Sequence, residues 1–411
     1  MRFKHTYLLN DIKIVFLSNE NTYSSLVVNS AQGYIVNLLK TVAKPILAAT
    51  LISCGNPIEQ TKPNAEAQTT ASPGQKISQK DCSPPEVSID AAEVTPLTIE
   101  NYALAESQVI FSDYVKKIGK ATCGSGVGTI MHLRNTPDPK DRTILRINFD
   151  TIYSLLILDL TSPVTIELPL TNGRYQSAEV LDDQHYIPFI FTKPGRYELT
   201  EETVGSRHAI VIFRTQVNIQ DPDDMNEVIV LQNGIKVAQQ NRGEYSQTNS
   251  WDMEDILSMR KQYQQRAVKE GTKSEDMAGK KEDITVDMHN FGAAVGWGGL
   301  TKEGAVYLFF QEASAEPKTL RLKDVPTAAN AFWSITVYDS DGYPRGEHFN
   351  INSAFAQTGA EGDVVVRFGG DPEQENYLEV YPDWTATFRV YSPQEAYFNG
   401  QWEIPELQPV E

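Results

Sequence analysis

The sequence predicts a mainly β protein: two β-sandwich or jelly-roll-like domains, with a few helices at the N-terminus and in the inter-domain connection. Short apolar or alternating runs recur between turn residues, with no long helix among them. A charged, helix-patterned stretch at 239–285 separates two sets of such runs. No period of roughly 20–50 residues repeats, which excludes a propeller or a solenoid.

The elements follow in order. A helix is predicted within 94–123, started by Thr98 or Glu100, with Tyr102, Ala105, Val109, Ile110, Tyr114, Val115 and Ile118 on its apolar face before Gly119. Strand patterns then cover 143–149, 153–160, 164–168, 175–181, 196–199 and 208–214. Turn chemistry separates them at Ser162-Pro163, Asn172-Gly173 and Lys193-Pro194-Gly195. A second helix fits 223–238, and a third, capped by Ser250, runs through Trp251, Ile256, Tyr263 and Ala267. Strands return over 305–312, 319–322, 332–338, 363–368, 377–380 and 385–391, and Asp339-Ser340-Asp341-Gly342 marks a tight turn. The glycines from Gly292 to Gly299 are read as a flexible lead-in to the second domain. The expected organisation is a leader at 1–53, a disordered tether at 54–93, an N-terminal β domain at 94–238, a helical linker at 239–285 and a C-terminal β domain at 286–411.

The formal charge is −18. Residues 1–53 hold five of the basic and two of the acidic residues, so a chain without them carries −21. A field of that sign repels polyphosphates, so nucleic-acid partners are excluded, and anionic membrane surfaces are poor targets for the protein itself. Three cysteines are present, Cys54, Cys82 and Cys123. Whether Cys82 and Cys123 pair is left open, since Cys82 falls in the tether. The six histidines are scattered and no Cys/His spacing suits a metal, so neither metal nor cofactor is expected.

Residues 42–54 read as an export signal. Lys40 and Lys44 precede a short apolar run from Pro45 to Ile52, too short to span a bilayer. Leu51-Ile52-Ser53-Cys54 resembles the lipobox of bacterial lipoproteins, which implies cleavage before Cys54 and acylation of its thiol. Several acyl chains give stable anchoring where one does not. Gly55-Asn56, with no Asp after the cysteine, then imply a lipid-anchored protein of the bacterial cell envelope, at the outer membrane. The polar, Asn/Ser-rich stretch at 1–35 is unlike a signal, and translation is expected to begin near Val36 or Val42. Residues 55–93 are poor in large apolar side chains and are expected to be a disordered tether.

Two longer motifs carry a family resemblance. Asn148-Phe149-Asp150-Thr151-Ile152-Tyr153-Ser154 resembles the N-x-D-T-x-Y-S signature of domain of unknown function twelve fifty-four, although Phe149 stands where Asn is common. Gly173-Arg174-Tyr175 and Arg214-Thr215 fall where that family has its G-R-Y and R-T motifs. Residues Ala331 to Asp339 (Ala-Phe-Trp-Ser-Ile-Thr-Val-Tyr-Asp) resemble the hallmark of domain of unknown function twelve fourteen, as do Arg389-Val390-Tyr391 and Gly400-Gln401-Trp402. The resemblance spans about 96–408. It implies two β-sandwich-like domains in tandem, assembly as a homo-oligomer, and no settled activity.

The best polar constellation is Asp150, Tyr153, Arg174 and Arg214, with Tyr338 and Asp339 from the second domain. A carboxylate beside a phenol and two guanidinium groups suits hydrolysis, with Asp as base, Arg as anion clamp and Tyr as acid. The same residues also suit buried ion pairs that fix strand ends and the domain contact. Phe332 and Trp333 are read as core and domain interface. No G-x-S-x-G elbow, phosphate loop or dinucleotide fingerprint is present. Two functions follow. The first is a non-catalytic envelope protein binding a glycan, lipid or protein partner, and the second is a hydrolase with Asp150 as base.

Overall fold

The computed structural model describes residues 82–142 and 146–410, together with three strands near the N-terminus. Those strands, β1 (Lys4–Leu9), β2 (Ile12–Asn19) and β3 (Thr22–Val28), form an antiparallel sheet in a compact unit of their own, Met1–Ala48. The Cys54 site and residues 55–81 of the expected tether lie outside the described residues. The rest of the chain, Ala49–Glu411, is a second unit.

Residues 82–93 are built onto this unit. Cys82 is disulfide-bonded to Cys123, 41 residues on, and Pro85 lies so close to Gly119 that a Cβ there would meet its Cδ at 2.4 Å. Strand β4 (Ser88–Ile89) pairs in parallel with β13 (Ser246–Gln247). The folded body therefore includes about a dozen residues that composition assigns to the tether. A cross-link and a glycine-permitted close approach supply the order that hydrophobic burial does not.

Helix α1 (Tyr102–Thr122) starts two residues after Glu100, where Asn101 accepts from the Thr98 amide at 2.7 Å. It ends on Cys123 in the left-handed conformation, φ 52°. The first sheet has the order β5-β6-β11-β8-β9, from β5 (Met131–His132), β6 (Thr151–Asp159), β8 (Gln176–Asp182), β9 (Phe189–Phe191) and β11 (His208–Gln216). Every residue of β6, β8 and β11 is buried. The reason is that both faces of this sheet are covered, which replaces alternation by continuous apolar runs. On one face lies a three-stranded sheet, β10-β7-β12, made of β7 (Val164–Leu168), β10 (Gly195–Leu199) and β12 (Lys236–Gln239). Leu156, Val180 and Val211 pack there against Ile166 and Leu199. Short helix α2 (Glu201–Val204) and helix α3 (Asp224–Gly234) flank this layer in sequence.

The other face carries helices. Helix α4 (Met253–Glu270) is capped by Asp252, whose side chain accepts from Glu254 N at 2.7 Å, two residues later than the expected Ser250 cap. The first five residues of the stretch from Gly292 to Gly299, read as a flexible lead-in, are instead the last turns of helix α5 (Val286–Gly296). Gly292 is where the helix crosses the Met277 backbone, and a Cβ there would meet the carbonyl oxygen at 2.1 Å. Helices α1, α4 and α5 share one core with Leu155, Ile157, Ile210 and Ile212 of the sheet. The segment drawn as an inter-domain linker, and the first turns of the region assigned to the second domain, are thus a layer of the first.

The second sandwich pairs two four-stranded sheets. One has the order β14-β20-β16-β17, from β14 (Ala305–Glu312), β16 (Trp333–Tyr338), β17 (Asn350–Asn352) and β20 (Trp384–Tyr391). The other has the order β19-β18-β15-β21, from β15 (Lys318–Leu322), β18 (Val364–Phe368), β19 (Tyr377–Leu378) and β21 (Gln408–Pro409). Ile335, Val337, Ala386 and Phe388 meet Leu320, Val366 and Phe368 between them. A short helix, α6 (Glu395–Phe398), follows β20. Among the described residues the protein is therefore mainly β, with six α-helices, in keeping with the expected fold class. The strand predicted over 143–149 is not formed where it is described: Arg146 takes a left-handed φ of 51° and 147–150 is a loop.

Candidate functional site

Alternation gives the first sheet of the second sandwich two unlike faces. One is its apolar core. The other presents Ser334, Thr336 and Tyr338 from β16, Asn350 and Asn352 from β17, and Thr387, Arg389 and Tyr391 from β20, all at most 4% exposed. Such a polar face is buried at a cost unless something partners it, and the 146–150 loop of the first domain does so for Ser334, Tyr338, Asn350, Arg389 and Tyr391. Asp150 is fully buried there. Its carboxylate accepts from Ser334 Oγ at 2.5 Å and Asn350 Nδ2 at 2.9 Å, with Arg389 Nη1 at 3.7 Å. Burial raises its pKa, while Arg389 and the two side-chain donors pull it down again, leaving it above the usual carboxylate value. Arg389 in turn donates to Thr336 Oγ1 at 2.9 Å and Tyr338 Oη at 2.8 Å, and Tyr338 Oη donates to the Ile147 carbonyl at 2.9 Å.

A second buried pair adjoins the first. Arg214 on β11 meets Glu179 Oε2 on β8 at 2.8 Å, donates to the Gly298 carbonyl at 2.7 Å, and lies over the Tyr153 ring at 5.4 Å. Asn148 Nδ2 bridges the two regions, donating to Tyr391 Oη at 2.8 Å and Tyr153 Oη at 3.3 Å. Burial pushes the Glu179 carboxyl up to about 7 against the pull of Arg214. Glu179 Oε1 and Ser177 Oγ on β8, and Tyr175 Oη just before that strand, have no hydrogen-bond partner among the described residues.

The structure thus brings Asp150, Tyr153 and Arg214 into one buried network, with Tyr338 at its edge. Arg174 and Asp339 stand elsewhere. Arg174 forks onto Asp224 at the start of α3, with Nη1 to Oδ2 at 2.7 Å. Asp339 closes its own turn, accepting from the amides of Asp341 and Tyr343 and from Arg345 Nε at 2.8 Å. Neither contacts Asp150. Glu179, Asn350 and Arg389 complete the network and were missing from the sequence constellation. A lone carboxylate inside the apolar run at 175–181 is the signal for Glu179, and the Arg-Val-Tyr motif is the signal for Arg389.

Two histidines form a separate group. His185 Nε2 accepts from the Gly298 amide at 2.9 Å, which places its proton on Nδ1. His289 stacks on Tyr186 with ring centroids 4.0 Å apart and on His185 at 5.5 Å. Burial holds His289 down to about 4, and burial with His289 holds His185 well below its normal value, so both are neutral. Beside them a groove of about 630 Å³ opens between the loop after β8, the segment 275–288 and residues 301–303. Ile187, Ile190 and Met288 give it an apolar wall, and Glu275, Asp283 and Glu303 outnumber Lys280 and Lys302 on its polar side. Among the described residues no group of three or more His, Cys, Asp or Glu is placed to hold a metal, and no helix is long and apolar enough to cross a membrane.

A pair of sandwiches joined through a buried carboxylate, with the activity-bearing groups largely paired, defines a class of tandem β protein. Residues 127–239 match the family described as protein of unknown function (DUF1254), and residues 313–395 match protein of unknown function (DUF1214). The chain is a tandem DUF1254–DUF1214 protein. Among solved structures it is similar to the VPA0106 protein from Vibrio parahaemolyticus, at 16% identity and a TM-score of 0.56, over 76% of this chain and 98% of that one. It also matches an uncharacterized Burkholderia cenocepacia protein at 12% identity and a TM-score of 0.43, over 75% of this chain and 88% of that one. No curated protein matches. The likeness to VPA0106 shows the fold alone.

Asp150→Ala should leave Arg389 buried without its carboxylate and cost about 3–5 kcal/mol in chemical denaturation. A loss within about 0.5 kcal/mol would mean the pair is not the joint. The histidines give a pH dependence. Their folded-state pKa values lie below the unfolded value near 6.5, so their contribution is complete above that value and is lost as pH falls from there through about 4. His289→Phe should make stability flatter over that window, by about 3 kcal/mol. An unchanged slope in denaturation series would refute it.

Proposed function

We propose that this is an exported, lipid-anchored envelope protein that binds a ligand without transforming it. The groove at 187–190, 275–288 and 301–303 is the ligand site in this reading. The observation that carries the reading is the contrast between two places. The Asp150 and Arg214 carboxylate–guanidinium pairs are closed off, whereas the groove is open and has the size and mixed lining of a small-molecule site. Its apolar wall and surplus of carboxylates suit an amphipathic ligand that is uncharged or cationic, such as a glycan carrying an apolar group or a lipid with such a head. Hydrolysis with Asp150 as base finds little support, because both carboxylate oxygens already accept from buried donors of the second domain. Export is supported by the Cys82–Cys123 disulfide, a bond typical of oxidising compartments. The lipobox-like run before Cys54 supports the anchor.

A thermal-shift screen with neutral and cationic glycolipids, phospholipids and peptides tests the binding site. A stabilising ligand should lose its effect in Met288→Trp, which fills the groove, and keep it in Arg174→Met. Stabilisation that is equal in Met288→Trp and wild type would place the site elsewhere. For the anchor, intact mass of detergent-extracted protein should show residues 1–53 removed and acyl mass added at Cys54. A mature soluble chain that retains those residues would contradict it.

A further inference from the structure

One cation next to the domain joint forms no ion pair among the described residues. Arg146 Cζ lies 5.6 Å from the Tyr338 ring centre and 5.9 Å from that of Phe309. Tyr338 is on β16 and Phe309 on β14, and β20 runs between those strands. In register, Thr387 pairs with Phe309 and Thr385 with Tyr338. The guanidinium therefore sits over the two threonines. Arg146 Nη1, Thr385 Oγ1 and Thr387 Oγ1 are all buried and all lack a hydrogen-bond partner among the described residues, and Thr387 is only 2% exposed.

Elsewhere in this protein buried guanidinium groups are matched: Arg214 by Glu179, Arg260 by Glu106, Arg389 by Asp150. Arg146 forms no ion pair among the described residues. The nearby Arg389 has its own carboxylate already shared with Ser334 and Asn350. Burial presses the Arg146 pKa below the usual value; Tyr338 pulls it back up and the Arg389 charge adds to the lowering. Register puts three groups able to donate on this face of the sheet, since a guanidinium only donates and each threonine hydroxyl is free to donate. The partner they require is an acceptor that carries negative charge. Water supplies the acceptor but not the charge. Phe309, on the edge strand β14, is 62% exposed, so solvent reaches this side of the sheet.

We infer that Arg146, Thr385 and Thr387 form an oxyanion site, taking a phosphate or sulfate group free or at the end of a larger molecule. It is separate from the groove and does not rest on the ligand-binding reading above. In a chain of charge −18 it is a local exception to the overall field, and a fixed fork plus two hydroxyls is a geometry suited to a tetrahedral anion.

The test is a titration of the full chain with inorganic phosphate, followed by thermal melting and calorimetry, against chloride at equal ionic strength. Wild type should show a saturable rise in melting temperature. Arg146→Met should abolish that response, yet melt in chloride no lower than wild type, because it removes an uncompensated cation. Thr387→Val, nearly isosteric, should weaken phosphate binding at least tenfold and guards against a folding defect in the arginine variant. Glycerol 3-phosphate run in parallel separates the sources. Equal affinity assigns the free ion, and tighter binding assigns a phosphomonoester. No saturable response beyond chloride, or a response that survives both variants, would overturn the site.

Discussion

Removing a carboxylate from water costs several kcal/mol unless charge and hydrogen bonds replace the water, and Asp150 is fully removed. Its replacements come from the other domain: a serine on β16, an asparagine on β17 and an arginine on β20. The second sandwich has the matching problem, because one face of its sheet is polar and has no water to meet it. Each half solves the other's. Exposing either face alone would leave groups that are satisfied only in the joined state, so the two domains are expected to behave as one cooperative body. The aromatic contacts of Tyr175 with Phe332 and Tyr391 close the same boundary on its apolar side.

This constraint also sorts the candidate chemistry. Asp150, the proposed base in the sequence reading, is consumed by the joint, and a group whose lone pairs are already taken by buried donors has little left for a substrate. What remains for function lies beside the joint. The groove lined by Ile187, Ile190 and Met288 is open and amphipathic. The Arg146 site has a positive charge and three unsatisfied donors next to the loop that carries Asp150. A ligand at either place would press on elements that the joint already holds in register.

Much of the fold was legible from residue pattern. Strands such as 164–168 and 305–312 match the sequence reading residue for residue, because turn chemistry on both sides limits their length. The Phe-Trp-Ser motif was legible too: Phe332 sits in the aromatic boundary and Trp333 in the sandwich core. Other features depend on contacts that local pattern does not encode. Residues 286–296 look like loop by their glycines, yet one of those glycines is the contact point between a helix and the Met277 backbone. The tether composition hid the Cys82 cross-link. At the site, Asp150 and Arg214 were recognised as ion-pair candidates, but their partners were not Arg174 and Asp339. Pairing across 200 or more residues is set by sheet order and by which face each strand turns inward. Only the assembled sandwiches determine both.

The central claim is that Asp150 makes two domains into one folding unit. Native-state hydrogen exchange resolved by peptide tests it directly, comparing amides of β6 in the first domain with those of β20 in the second. In wild type the slowest amides of both strands should exchange through a single opening with the same free energy, and Asp150→Ala should split them into two. Separate openings in wild type, or a single shared opening that survives Asp150→Ala, would contradict it.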